Sequence, residues 1–230
     1  EELHQLRLDV KRMRAFLFLQ QGSFKSGHLP DFFDPFEEIF RKAGKIRSAE
    51  VSLRLLKRYG IRDTEIKAEM NKIIHKGTTG FIKRTGSFLE KISVGEKESV
   101  SDFRDVDIPG IKKNFAKQLR LTSKKFVKKH KSEPLHEVRK TLKNLLYIHT
   151  MFDREITDVI RLNTAYINEL EQMIGKWHDI DFAISLIGKK GQQGKIRLKL
   201  QVKRKKVLSK IYRKAEKFER TVFLGKSLNL

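Results

Sequence analysis

His136-Glu137-Val138-Arg139-Lys140-Thr141-Leu142-Lys143 repeats, at an offset of 132, the pattern of His4-Gln5-Leu6-Arg7-Leu8-Asp9-Val10-Lys11. Offsets of three, four and seven stack side chains along one side of an α-helix. Each copy therefore predicts a helix with an imidazole, a guanidinium and an ammonium in one row. Apolar residues run beside each row: Leu3, Leu6, Val10, Met13 and Leu17 in the first, Leu135, Val138, Leu142 and Leu145 in the second. Arg14 extends the first row and Arg12 flanks it. Lys140 flanks the second, and Asn144 stands where the first copy has Arg12, an amide donor without charge. A core-seeking stripe edged by cations points to a helical protein that collects negative charge.

Working outward, a second element recurs. Gly44-Lys45-Ile46-Arg47-Ser48-Ala49-Glu50 aligns with Gly175-Lys176-Trp177-His178-Asp179-Ile180-Asp181 at an offset of 131, nearly that of the first pair. The near-constant spacing predicts an all-α fold of two pseudo-symmetric four-helix bundles, residues 1–109 and 110–230, forming one domain around a basic central channel. The four prolines, at 30, 35, 109 and 134, all fall near expected boundaries and leave room for long helices. Helices are predicted at about 2–21, 34–59, 62–75 and 78–92, then 111–130, 133–152, 155–187 and 195–223. Residues 93–109 read as a polar connection. Gly60 should stop the second helix, and Pro134 fits a first turn capped by Ser132.

Composition narrows the partners. Lys plus Arg number 51 against 28 acids, a net charge of +23 and a pI near 10.2, which favours nucleic acid, anionic membrane or polyphosphate. Hydrophobic residues at 39%, with 16 Phe, argue for a packed core rather than disorder. There is no cysteine, so thiolate metal sites and disulfides are excluded and a reducing cytoplasm is the expected setting. No apolar run approaches bilayer length, so no transmembrane association is expected. The opening residues lack the basic and apolar regions of a secretory signal; an upstream catalytic domain is left open.

Two further helices carry cations at helical spacing: Lys113, Lys117, Arg120, Lys124, Lys128 and Lys131, and then Lys199, Lys203, Lys206, Lys210, Arg213 and Lys217. Such rows often form plain solvated faces. Solvated helices normally interleave acids, however, because like charges at i,i+4 cost about 0.2–0.5 kcal/mol per pair. Between 189 and 217 thirteen Lys or Arg face the single acid Glu216, a repulsion that a bound polyanion would relieve. Anionic lipid is a weaker use of this segment, since Ile196, Leu200, Val207, Ile211 and Phe218 suit a bundle core.

Acids in the repeated element are candidates for orienting roles: Glu50, Asp179 and Asp181 would hold a neighbouring cation so that its donors face a ligand. Trp177, with Ile180 and Ile184, reads as core. An adjacent His178-Asp179 also occurs in metal-dependent phosphohydrolases, but that chemistry needs several convergent His and Asp ligands, and no second doublet exists. No phosphate-binding glycine loop is present. No catalytic residue, metal or cofactor is therefore expected.

These paired motifs resemble the CHAD domain, the conserved histidine α-helical domain. The match runs from His4 through Arg14 and Gly44 through Glu50, and again from His136 through Tyr147 and Gly175 through Asp181. It is weaker at Ser48, where that family's element carries Asp. The resemblance implies two four-helix bundles around a basic cavity that binds inorganic polyphosphate without catalysis, and targeting to polyphosphate granules. It implies that His4, Arg7, Lys11, Arg14, Arg47, His136, Arg139, Lys143 and His178 line the cavity. Two alternatives stay open: an RNA- or DNA-backbone-binding protein, and a metal-dependent polyphosphate hydrolase.

Overall fold

The long second helix ends as its sequence dictates. Gly60 takes a positive φ of 64°, a conformation that carries no steric cost without a Cβ. Its N–H reaches Lys57 O at 3.3 Å while the N–H of Ile61 reaches Leu56 O at 2.9 Å, the two bonds of a Schellman stop. Ile61 is buried behind the turn. The next helix starts at once, with the Asp63 carboxylate accepting from the Ile66 N–H at 3.0 Å.

The computed structural model describes residues 2–20, 29–99, 108–127, 133–151, 160–188 and 191–224. Its helices are α1 (Glu2–Gln20), α2 (Asp34–Arg58), α3 (Thr64–Lys83), α4 (Thr85–Ser99), α5 (Ile108–Val127), α6 (Glu133–Met151), α7 (Thr164–Leu186), α8 (Gly191–Ala215) and the short α9 (Phe218–Thr221). Among the described residues the fold is all-α, with no sheet; a single isolated bridge joins Leu162 and Phe223. The chain divides into two compact units, Glu1–Asp105 and Val106–Leu230.

In the first unit α2 packs against α1 and α3, and α4 lies against α2 and a 3-10 turn at Asp31–Phe33. Val10, Leu17 and Phe33 are buried together, with Met13, Phe16, Phe36 and Phe40 packed around them. Glu38 ties α4 to α2: it pairs with Lys42 at 3.1 Å and Lys91 at 3.2 Å. Those hydrogen bonds hold its carboxyl below the ordinary range.

In the second unit α7 packs against α6 and α8, and α5 lies against α6. Leu135, Val138, Leu142, Leu145 and Ile148 of α6 are buried, as are Trp177, Ile180 and Ile184 of α7. The Tyr166 hydroxyl donates to Lys214 O at 2.8 Å, and burial, with Glu169 nearby, pushes its ionisation up to about 12. Arg197 caps α7 by donating to Ile184 O and Ile187 O, each at 2.9 Å, satisfying carbonyls that a helix end leaves open.

Several predicted boundaries are corrected. The expected break near residues 76–77 is absent, and α3 runs through Gly77 to Lys83. A Cβ on Gly77 would stand 2.7 Å from Ile46 Cγ1, so this glycine serves close packing of α3 on α2 rather than a turn. Residues 93–99, read as connection, continue α4. Of the helix predicted over 155–187, the described residues 160–163 are not helical, and α7 starts at Thr164. Residues 160–163 are used otherwise: Asn163 N–H bonds Val222 O at 2.9 Å, and its side chain caps Tyr166 N–H at 3.1 Å. The last helix spans Gly191–Ala215, and the chain re-forms α9 before the bridge at Phe223. The proposed Ser132 cap, Lys128, Lys131 and residues 100–107 and 155–159 lie outside the described residues.

Leu142 is fully buried in α6. Leu142→Ala is expected to lower unfolding free energy by about 2–5 kcal/mol. Gly60→Ala should cost about 1 kcal/mol, because a side chain is strained at its φ of 64°. Urea titration of both variants measures these losses.

Candidate anion-binding site

In the first unit the row on α1 is drawn onto one aromatic ring of α2. The Arg7 guanidinium lies 3.9 Å from the Phe40 ring centroid and donates to the Phe40 carbonyl. Lys11 Nζ stands 5.8 Å from the same ring and the Arg14 guanidinium 4.9 Å. Cation–π contacts of this kind contribute about 0.5–2 kcal/mol each and leave the cation's charge in place. Arg7 can lie this close because Gly44, one turn after Phe40, has no side chain: a Cβ there would be 2.7 Å from Arg7 Nη1. Burial first, then repulsion from Arg47 and Arg14, lowers the Arg7 pKa from its ordinary value. Like charge from Arg47 and Arg14 thus adds to the effect of burial.

Two acids partly offset that charge. Arg14 pairs with Glu37 at 3.0 Å and Arg47 with Glu50 at 2.9 Å. His4, Arg47 and Glu50 share a cleft of about 790 Å³ whose other wall is apolar, with Leu6, Phe81 and Ile82 among its lining. Arg12 points away from this group, exposed and paired with Asp9 at 3.0 Å.

The second unit repeats the arrangement with different partners. Arg139 lies over Gly175, where a Cβ would be 3.0 Å from Nη2. One turn earlier, at the position that corresponds to Phe40, stands Glu171. Arg139 Nε is 2.8 Å from Glu171 Oε1, and Lys143 Nζ is 3.4 Å from the same oxygen. Beside them the rings of His136 and His178 stack, centroids 5.3 Å apart at an interplanar angle of 30°. The His178 pKa is lowered, chiefly by burial, then by His136 and Arg139; Asp179 and Asp181 act in the opposite sense. Asp181 pairs with Arg204 of α8. Lys140 is exposed and paired with Glu137 at 3.0 Å, and Asn144 is half-buried.

Each unit therefore brings together a subset of the expected residues: Arg7, Lys11, Arg14 and Arg47 in the first, His136, Arg139, Lys143 and His178 in the second. The other rows are open helix faces. Lys113, Lys117, Arg120 and Lys124 are exposed on α5, opposite buried Ile111, Phe115, Leu119 and Phe126. Lys199, Lys203, Lys206 and Lys210 are likewise exposed on α8, with Leu198 and Val202 exposed beside them. Phe40, Glu171 and Arg204 are the site residues that motif reading overlooks. Extending the repeat alignment one turn before its glycines finds the first two.

Among the described residues, no group of three or more His, Asp or Glu side chains is placed to hold a metal ion, and no helix is long and apolar enough to cross a membrane. No protein-family model, curated protein or solved structure matches the chain.

The lowered His178 pKa makes stability depend on pH. The folded state binds fewer protons than the unfolded state, so this contribution is complete above the ordinary imidazole value of 6.5 and is lost as pH falls toward the folded value. Proton NMR should show the His178 ring titrating below 6.5, and His178→Asn should flatten the acid side of the stability profile. A ring that titrates at or above that value contradicts the burial argument.

Proposed function

We propose that this chain is a non-catalytic polyanion-binding domain of the CHAD type, with inorganic polyphosphate as ligand. The observation that carries the reading is the recurrence, in both units, of an Arg and a Lys from one helix set on the same position of the next, each Arg lying over a glycine. The resemblance of the two paired motifs supports it independently. The finer architecture, two related four-helix bundles around a basic channel, is proposed with the ligand, as is targeting to polyphosphate granules.

Polyphosphate suits such groups because guanidinium forks and ammonium charges bond phosphate oxygens through charge-assisted hydrogen bonds. Cations three or four residues apart lie about 5–6 Å apart along a helix, a spacing that an extended phosphate chain can follow. Binding would release counterions, so affinity should rise with chain length and fall with salt.

Calorimetry with polyphosphates of defined length tests this. Arg7→Ala and Arg139→Ala are each expected to weaken binding about tenfold or more, the loss of a charged hydrogen-bonding group. Weak binding that does not depend on length would reject the proposal.

The exposed row of α8 favours a second reading, RNA or DNA held by its backbone. Competition between RNA and polyphosphate at matched phosphate concentration and ionic strength separates the two. Lys206→Glu with Lys210→Glu should weaken an RNA complex more than a polyphosphate complex centred on Arg7 and Arg139. Phosphate release with added Mg²⁺ or Mn²⁺ tests the hydrolase alternative, which turnover abolished by Asp179→Asn would establish.

A further inference from the structure

Phe40 and Glu171 occupy corresponding positions in the repeat, one helical turn before Gly44 and Gly175. Both meet the same two side chains from the preceding row, Arg7 and Lys11 in one unit and Arg139 and Lys143 in the other. The chemistry at that position differs. An aromatic face attracts a cation without cancelling its charge, whereas a carboxylate cancels one unit of it.

The details of the Glu171 contact matter. Its side chain is 12% exposed, while Arg139 and Lys143 are 30% and 29% exposed, so both cations are more open to solvent than the acid that holds them. Although Arg139 Nε and Glu171 Oε1 are 2.8 Å apart, neither atom has a well-directed hydrogen bond. Charge holds the group together, and both of those atoms are closed to solvent. A phosphate arriving from solvent would meet the exposed parts of Arg139 and Lys143 and compete with the carboxylate for their charge.

We infer that Glu171 is a tethered competitor: a built-in carboxylate that occupies the anion seat of the second unit and sets how many phosphates a ligand must present to engage Arg139 and Lys143. This deepens the polyphosphate reading and rests on it. Orthophosphate and short chains carry more charge than one carboxylate, but they meet a competitor that is covalently held beside the cations at high local concentration. A long chain, anchored elsewhere on the protein, presents phosphates to the seat at high local concentration and gains the extra contacts. The first unit has Phe40, not a carboxylate, at this position.

The test compares wild type with Glu171→Gln, which keeps shape and removes charge, and with Phe40→Glu, which installs the competitor in the first unit. Calorimetry uses tripolyphosphate and a long polyphosphate over a salt series, and thermal melts establish that each variant is folded. Glu171→Gln should tighten tripolyphosphate by about fivefold, the scale of one partly exposed charge interaction. It should tighten the long chain less, and steepen the slope of log affinity against log salt by about 0.7. Phe40→Glu should weaken tripolyphosphate by about fivefold and the long chain less. If Glu171→Gln weakens binding, Glu171 positions the cations rather than competing for them, and the inference is overturned; unchanged affinity overturns it too. Should that variant fail to fold, a Phe40→Glu protein that binds as tightly as wild type is sufficient to reject it. Wild type that binds no polyphosphate at low salt sinks the functional reading itself, a result distinct from wild-type binding that Glu171→Gln leaves unimproved.

Discussion

The seating of an arginine over a glycine is the constraint on which the rest of each unit depends. Arg7 lies over Gly44 and Arg139 over Gly175, each at a distance that a Cβ would invade. A guanidinium is planar, and its flat face can lie against helix backbone only where no side chain projects. The glycine costs roughly 0.5–1 kcal/mol in helix stability relative to alanine, and the surrounding core offsets this. In the second unit Leu135, Val138 and Leu142 of the Arg139 helix are buried, with Ile174 and Trp177 buried beside the Gly175 turn. Apolar burial at about 25 cal/mol per Å² makes that helix pair stable enough to carry a half-buried cation at its edge. The cation then has a fixed place from which to act.

Charge crowding follows from that placement. With a net charge of +23, the chain cannot give each basic residue an acid. The units cope by different means. In the first, aromatic rings join the acids Glu37 and Glu50, with Phe40 meeting Arg7, Lys11 and Arg14 and Phe33 meeting Arg14 at 5.7 Å. Burial first, and then the repulsion of Arg47 and Arg14, lowers the pKa of Arg7. In the second, Glu171 and Asp181 take up Arg139, Lys143 and Arg204, and the two imidazoles stack. Burial first, then His136 and Arg139, lowers the pKa of His178.

Local signals were legible where one physical rule dominates. Gly60 with the apolar Ile61 after it is a helix stop on backbone grounds alone, and the stripe through Leu135, Val138, Leu142 and Leu145 can only face a core. Gly77 misleads because one residue type serves two purposes: in sequence it resembles a turn, while in the fold it admits Ile46. Asn163 shows the opposite case, a cap whose strength depends on a backbone partner nearly sixty residues away at Val222. The motifs locate the cations but not their counterparts. Phe40 looks like one core aromatic among many, and Glu171 like one helical acid among several, until the contacts place each against the repeated Arg. Arg204 is hidden within a run of cations, and its turn toward Asp181 depends on the rotation of α8, which the packing of Leu200 and Ile211 sets.

Sequence divergence at a single repeated position therefore changes the electrostatics of a seat without changing its frame. The frame is apolar packing with a glycine gap, and it tolerates either an aromatic or a carboxylate beside the arginine. Both stabilise the empty protein by relieving repulsion or desolvation around the guanidinium. They differ once an anion arrives. Cation–π attraction survives beside a bound phosphate because the ring and the anion use different faces of the cation, whereas a carboxylate and a phosphate seek the same N–H donors. An interaction that best stabilises the unit without an anion is then the one that would most oppose the anion proposed for it, since a ligand adds stability only through its preference for the folded protein. With Phe40 in one unit and Glu171 in the other, the chain holds the same repeated arginine by a ring in one and by a carboxylate in the other.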